Sequence, residues 1–318
     1  MKTIKLIKNR SDIGAGTRGS DMGVDAIEIA AINKNDDYFN CYPFEDIETD
    51  NETVYNKVNN SFAKRIGSVM QVCKRLSTSV TKNLLNNKFP IVLSGDHSSA
   101  LGSISGVKTA FPEKTLGVVW IDAHADIHSP YTSPTGNIHG MPLAAALNDD
   151  NLEYKINNVI GETKAYWNQM KNIGINGPKV THENIIYFGV RDIEEEEEAI
   201  IKKNNIKNYT VSEMRYRGFN TCLNEAIEKL GNCDIIYISF DVDSMDSDLI
   251  SKGTGTPVSK GFDEFEIIEI IKAFINTKKV ACFEIVEINP TLDNKGNKMA
   301  ETAFDVLKAT TSALISVL

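Results

Sequence analysis

The sequence lacks the marks of several protein classes. Its five cysteines (Cys41, Cys73, Cys222, Cys233 and Cys282) are odd in number and scattered, with no CxxC pair. That pattern excludes a disulfide framework and a zinc knuckle, and reduced, mostly buried thiols are expected instead. No apolar run approaches the roughly 20 residues needed to cross a bilayer. Residues 1–10 are charged and lack the apolar stretch of a secretory signal, so a cytoplasmic location without a membrane partner is expected. Basic residues are in deficit: 34 Lys and Arg stand against 43 Asp and Glu, a net charge of −9. Such a balance argues against nucleic acid as a partner and favours a cationic ligand. Neither an internal repeat nor a low-complexity linker divides the chain, and residues 1–318 are expected to form one domain.

Short apolar runs recur instead: Ile91–Leu93, Leu116–Ile121, Ile185–Val190, Ile235–Phe240 and Val280–Val286. Near-continuous apolar runs of this length fit strands buried on both faces of a parallel sheet. Helical spacing lies between and after them. Leu223, Ile227 and Leu230 share one predicted face, Phe265, Ile268, Ile271 and Ile275 another, and Phe304, Leu307, Thr311, Leu314 and Leu318 a third. Alternating strands and helices predict an α/β fold of three layers, a doubly wound, mainly parallel sheet with helices on both faces. In such sheets the chemistry lies beyond the carboxyl ends of the strands.

Histidine is scarce as well, with five in 318 residues, yet four of them (His97, His124, His128 and His139) fall within 43 consecutive positions. His97 follows the first run in Ser94-Gly95-Asp96-His97. Asp122-Ala123-His124-Ala125-Asp126 follows the second, Asp241-Val242-Asp243 the fourth, and Glu287-Ile288-Asn289-Pro290 the fifth. One Asp after a strand is ordinarily a turn or cap residue, and Asp96 is expected to brace its loop in that way. Four Asp and two His converging on one sheet edge are another matter. Without Lys or Arg nearby they would repel one another, and a bound cation resolves the repulsion. Carboxylates with a few imidazoles and no thiolate suit Mn²⁺ and other hard divalent ions. Six protein donors exceed the need of one open ion, which points to two ions and to metal-assisted hydrolysis.

Ser94–Ser98, Asp122–Asp126, Gly136–Gly140, Ser239–Asp243 and Glu287–Pro290, in this order, resemble the motifs of the ureohydrolase family, and the resemblance runs from about residue 14 to 318. Within that family it is greatest to the arginases, which implies hydrolysis of L-arginine to L-ornithine and urea by a hydroxide bridging two Mn²⁺, with Co²⁺ as the alternative metal. The resemblance assigns one ion to His97, Asp122, Asp126 and Asp241 and the other to Asp122, His124, Asp241 and Asp243. It also implies that Glu287 pairs with the guanidinium, that Asp126 passes a proton to the leaving amine, and that His139 shuttles protons. For the amino-acid end of the substrate it implies Thr135 and Asn137, with Glu194 and Glu197 near the α-amino group and Thr256 beside the site. His128 stands where many arginases carry Asn, and an imidazole still donates to a carboxylate. The other three acids of Glu194–Glu198 are expected at a solvated helix start. No role is assigned to His182 or to Gly19–Gly23. Family members assemble as trimers or hexamers, so a homo-oligomer is expected. The rival readings are an agmatinase or other guanidino or formimino amidinohydrolase, and a non-catalytic protein that binds metal or arginine.

Overall fold

The computed structural model describes residues 2–318. Its centre is an eight-stranded sheet: β1 (Thr3–Asn9), β2 (Phe44–Asp46), β3 (Lys88–Ser94), β4 (Leu116–Ile121), β5 (Ile185–Phe188), β6 (Lys207–Tyr209), β7 (Ile235–Asp241) and β8 (Val280–Val286). Every pairing is parallel and the spatial order is β2-β1-β3-β8-β7-β4-β5-β6. The five expected strands are present. β4, β5, β7 and β8 are buried at every position, as strands covered on both faces must be.

Two apolar layers cover the sheet. One holds the helices Gly23–Asn33, Phe219–Lys229, Glu264–Ile275 and Lys298–Val317. The other holds Ile66–Leu85, Ala100–Ala110, Pro142–Leu147 and Gly161–Lys171. The three-layer α/β expectation therefore holds.

Three details differ from the sequence reading. Strands β1, β2 and β6 were not foreseen. β1 carries Lys5 and Lys8 in its run, but Lys8 is buried with its ammonium 2.7 Å from Glu28. β5 stops at Phe188 because Gly189 turns to a φ of +91°, short of the expected Val190. On helix Glu264–Ile275 the buried face is Ile267, Ile270, Ile271, Phe274 and Ile275, whereas Phe265 is 69% exposed. An isoleucine-rich helix satisfies several registers at once, and the sheet selects one of them. The C-terminal face Phe304, Leu307, Thr311 and Leu314 is buried as expected.

The order of strands positions the site. β3, β8, β7 and β4 are the four central neighbours, and they are the strands whose carboxyl ends carry the His and acidic motifs. Parallel pairing puts all four ends at one edge.

Candidate metal centre

The turn after β3 is built before any ligand is considered. Gly95 lies so close to the chain's N-terminal loop that a Cβ there would sit 2.2 Å from the Ser11 carbonyl oxygen. Asp96 caps the following turn His97–Ser99 by accepting from the Ser98 amide at 2.8 Å, and it accepts from the Gly14 amide at 2.8 Å. It is thus the brace expected from the sequence. The turn directs the His97 imidazole over the sheet edge, stacked on Trp120 at 4.0 Å between ring centres.

Around that ring the acids gather. His97 Nδ1 lies 3.0 Å from Asp122, 2.9 Å from Asp126 and 3.1 Å from Asp241. His124 Nδ1 lies 3.0 Å from Asp243 and 3.5 Å from Asp122. The donor atoms of His97, Asp122 and Asp126 fall within 4.8 Å of one another, as do those of Asp122, His124 and Asp243. Asp122 belongs to both groups, which is the arrangement a two-ion centre with a shared ligand requires. All four aspartates are buried, and among the described residues none of them makes a salt bridge to Lys or Arg.

The chemistry of these donors fits a cation. Two of the buried atoms that face each other, His97 Nδ1 and Asp122 Oδ2, have no hydrogen-bond partner, so a proton or a cation must stand between their lone pairs. Burial and the neighbouring Asp243 and Asp122 push Asp241 well above the ordinary carboxylate range. Burial and Asp122 raise Asp126 to about 6. A cation in the centre reverses both shifts, because it becomes the largest local charge.

Glu287 and His139 face the same centre. Glu287 follows β8 with a φ of +68°, and Asp126 has a φ of +49°. That backbone is uncommon for a residue with a side chain and costs of order 1 kcal/mol each. Glu287 Oε1 accepts from the His97 amide at 3.0 Å and lies 3.0 Å from His139 Nδ1. Against its burial, this contact lifts His139 to about 9 and holds Glu287 below its usual value. His139 is itself fixed from the N-terminal side, its amide donating to the Gly14 carbonyl at 3.1 Å. The loop that matters is therefore the one around Gly14, upstream of Gly19–Gly23.

The centre forms the floor of a cleft of about 300 Å³ lined by His128, Thr135, Asn137, Glu194, Glu197 and Thr256 among others. All the residues singled out from the sequence are thus brought together, though several are placed differently from expectation. Thr135 is exposed at the rim, and its hydroxyl accepts from the Asn137 amide at 3.2 Å. Asn137 accepts from Lys64 at 3.1 Å through Oδ1. The Thr256 hydroxyl donates to Asp243 at 3.0 Å and so steadies an acid of the centre.

Glu194 is the cap of helix Glu195–Lys203, and Glu197 closes a capping box with it. Glu197 also accepts from the Ile127 amide at 3.2 Å and is 2% exposed. Its carboxyl is pushed well up by burial and by Glu194. His128 Nε2 lies 3.3 Å from Glu194 and 3.8 Å from Glu197, while its Nδ1 meets the Thr132 hydroxyl at 3.1 Å. Glu195 and Glu198 are exposed and Glu196 half-buried.

Two neighbours of the centre escaped the sequence reading. Asp192 lines the cleft and places Oδ2 3.6 Å from His124 Nε2, and nothing in its local spacing marks it. Ser239 meets His97 Nε2 at 2.7 Å. The alternation of a strand was an available signal for it, because Ser239 stands two positions before Asp241 on the same face. His182 lies outside the cleft, 3.6 Å from Asp149.

Comparison with known proteins bears on the whole of this arrangement. The profile of the Arginase family matches residues 3–312. The arginase of Bacillus subtilis (strain 168) is 34% identical over 310 residues, 97% of each chain. Among solved structures, the native arginase of Bacillus caldovelox superposes with a TM-score of 0.81 at 31% identity over 98% of both chains. The Entamoeba histolytica arginase in complex with L-ornithine superposes with a TM-score of 0.82 at 27% identity over 100% of both. Sequence and fold agree from end to end, and the chain belongs to the arginase family.

Proposed function

We propose that this protein is an arginase, hydrolysing L-arginine to L-ornithine and urea with two Mn²⁺ held in the cleft. The observation that carries the reading is the meeting of five buried Asp and His donors and the half-buried His124 with Glu287 and His139 at one cleft floor. His97, Asp122, Asp126 and Asp241 would hold one ion, and Asp122, His124, Asp241 and Asp243 the other. When bound, such a pair lowers the pKa of water towards neutrality and supplies the nucleophile that a resonance-stabilised guanidinium carbon needs.

The chain's own residues do the rest. Glu287, buried and ionised, pairs with the guanidinium and holds its carbon above the acidic centre. Asp126 carries a proton to the leaving amino group. His139, in contact with Glu287 and 21% exposed at its side chain, moves protons between the cleft and solvent. Asn137 and Thr135 at the rim, with His128, receive the α-carboxylate, and Glu194 faces the α-amino group. Glu197 and Thr256 serve by holding Glu194 and Asp243 in place.

The polar rim favours arginine over agmatine, which has no α-carboxylate to meet it. Urea release from arginine and agmatine, measured in parallel with Mn²⁺ or Co²⁺ added, tests the assignment: arginine is expected to turn over faster. Faster turnover of agmatine would overturn it in favour of an agmatinase, and no turnover by a fully loaded protein would favour a binding protein. The same proposal treats residues 1–318 as one domain working in the cytoplasm, and no described helix is long and apolar enough to cross a membrane. It also carries over the family's homo-oligomeric assembly as a trimer or hexamer, which light scattering tests.

A further inference from the structure

Two polar side chains on the rim of the cleft have their acceptors occupied. Lys64 Nζ meets the Asn137 side chain at 3.1 Å. An ammonium only donates, so the amide oxygen faces Lys64 and the amide NH2 is turned away from it. That NH2 makes no hydrogen bond among the described residues, and it has room because residue 16 is glycine: a Cβ there would sit 2.6 Å from Asn137 Nδ2. The Thr135 oxygen is engaged by the Asn137 backbone amide at 3.2 Å, which leaves its O–H to donate. The rim therefore offers a ligand N–H and O–H groups, which suit a carboxylate and not an ammonium.

The backbone holds Lys64 against this rim. Its amide donates to the Gly136 carbonyl at 2.8 Å. Gly136, at a φ of +71°, lies so close that a Cβ there would run into the Ser61 carbonyl oxygen. Segment 61–64 is thus packed on the Thr135–Asn137 loop. Lys64 is half-buried and makes no salt bridge among the described residues, so no acid draws its ammonium away from Asn137. The cleft itself is lined by acids and His, and no Lys or Arg lines it. An untethered amide there could turn its oxygen to the ligand, and an amide oxygen welcomes an ammonium as readily as the NH2 welcomes a carboxylate.

We infer that Lys64 is a positioning residue that sets specificity: by holding the Asn137 oxygen, it presents the amide NH2 to the α-carboxylate of the substrate and so selects an amino acid over the corresponding decarboxylated amine. The inference rests on the proposed reading of arginine in the cleft, and extends it to a residue that does not line the cleft.

The test uses the Mn²⁺-loaded full chain, with folding checked by thermal melt. It compares inhibition of arginine hydrolysis by L-ornithine and by 1,4-diaminobutane, the same molecule without its carboxylate. Lys64→Met is expected to raise the ornithine inhibition constant and the KM for arginine about tenfold, the lower end of what a hydrogen bond to a charged group is worth. The diaminobutane constant and kcat should stay within about twofold of wild type. Lys64→Arg, which keeps a donor and the charge, should return the ornithine constant to within about threefold of wild type. Asn137→Ala should cost at least as much as Lys64→Met, and adding Lys64→Met to it less than about a further threefold, because an exposed charge by itself is worth little.

An equal rise in the diaminobutane constant, or a fall in kcat at unchanged KM, would overturn the inference in favour of a packing role for segment 61–64. Losses that multiply in the double variant would overturn it too, since Lys64 would then act without Asn137, as would a loss in Lys64→Arg as large as in Lys64→Met. If Lys64→Met does not fold, Lys64→Ala carries the same test. A loaded wild type that hydrolyses no arginine, or prefers agmatine, overturns the proposed function and this inference together. A wild type that prefers arginine, beside indifferent Lys64 variants, overturns the inference alone.

Discussion

Asp122, Asp126, Asp241 and Asp243 stand at the ends of buried strands, whereas Glu194–Glu198 open a helix, and members of both groups line one cleft. Most of the helix group is satisfied from within the chain, although burial and Glu194 push the Glu197 carboxyl well up. Its dipole favours negative charge at that end, the capping box ties Glu194 to Glu197, the Ile127 amide donates to Glu197, and the rest faces solvent. The strand-end group has only His97 and His124, and its members lift one another's pKa. Acids that the fold satisfies are mostly structural, Glu194 at the cleft being the exception, and acids that it leaves in want of charge mark where a ligand completes it.

The sharpest way to break this contrast is to neutralise one strand-end acid. Asp126→Asn is expected to fold yet to lose about 10²–10⁴ in turnover of arginine, measured as urea release at saturating substrate. Activity within tenfold of wild type would mean that the cleft acids are no more functional than those of the helix.

Metal removal gives the next effect. A ligand at 100 times its Kd stabilises a fold by about 2.7 kcal/mol, so two ions should raise the melting temperature by several degrees over chelated protein. Chelated protein should also gain stability as the pH falls from 7 towards 5. Asp126, raised to about 6, takes up its proton in the folded chain before an unfolded carboxylate would. Asp241→Asn should narrow the gap by raising the chelated protein's melting temperature. A gap unaltered by that change would argue that Asp241 is already compensated.

The smallest effects belong to the helix, and they divide it. Glu197→Ala removes a buried acceptor of two amides and should cost about 1–2 kcal/mol by thermal melt with metal bound. Glu194→Ala should leave stability within about 0.5 kcal/mol and raise KM for arginine by about fivefold or less, with kcat unchanged. A reversal of that split would mean that Glu197, and not Glu194, reads the substrate.

The layered fold was legible because five strands are covered on both faces and therefore carry unbroken apolar runs. β1 was hidden by Lys8, whose charge is paired inside the protein, and β2 and β6 by a length of three residues each. The centre was legible for a different reason: its residues follow strands directly, so a motif in sequence is a place in space. What hides is whatever reaches the centre through another side chain. Asp192 meets it across a loop, through His124. Glu197 is singled out in the sequence as a substrate contact, but its part in the capping box shows only in the structure.

The left-handed backbone at Asp126 has a consequence for descent. Asn tolerates that conformation better than most residues, and as a neutral amide it also removes a charge from a crowded site. One substitution could therefore make the unloaded protein sturdier while silencing it. Selection for durability alone would drift in that direction, and catalytically silent descendants of this chain would be recognised by an otherwise intact cleft with Asn at position 126.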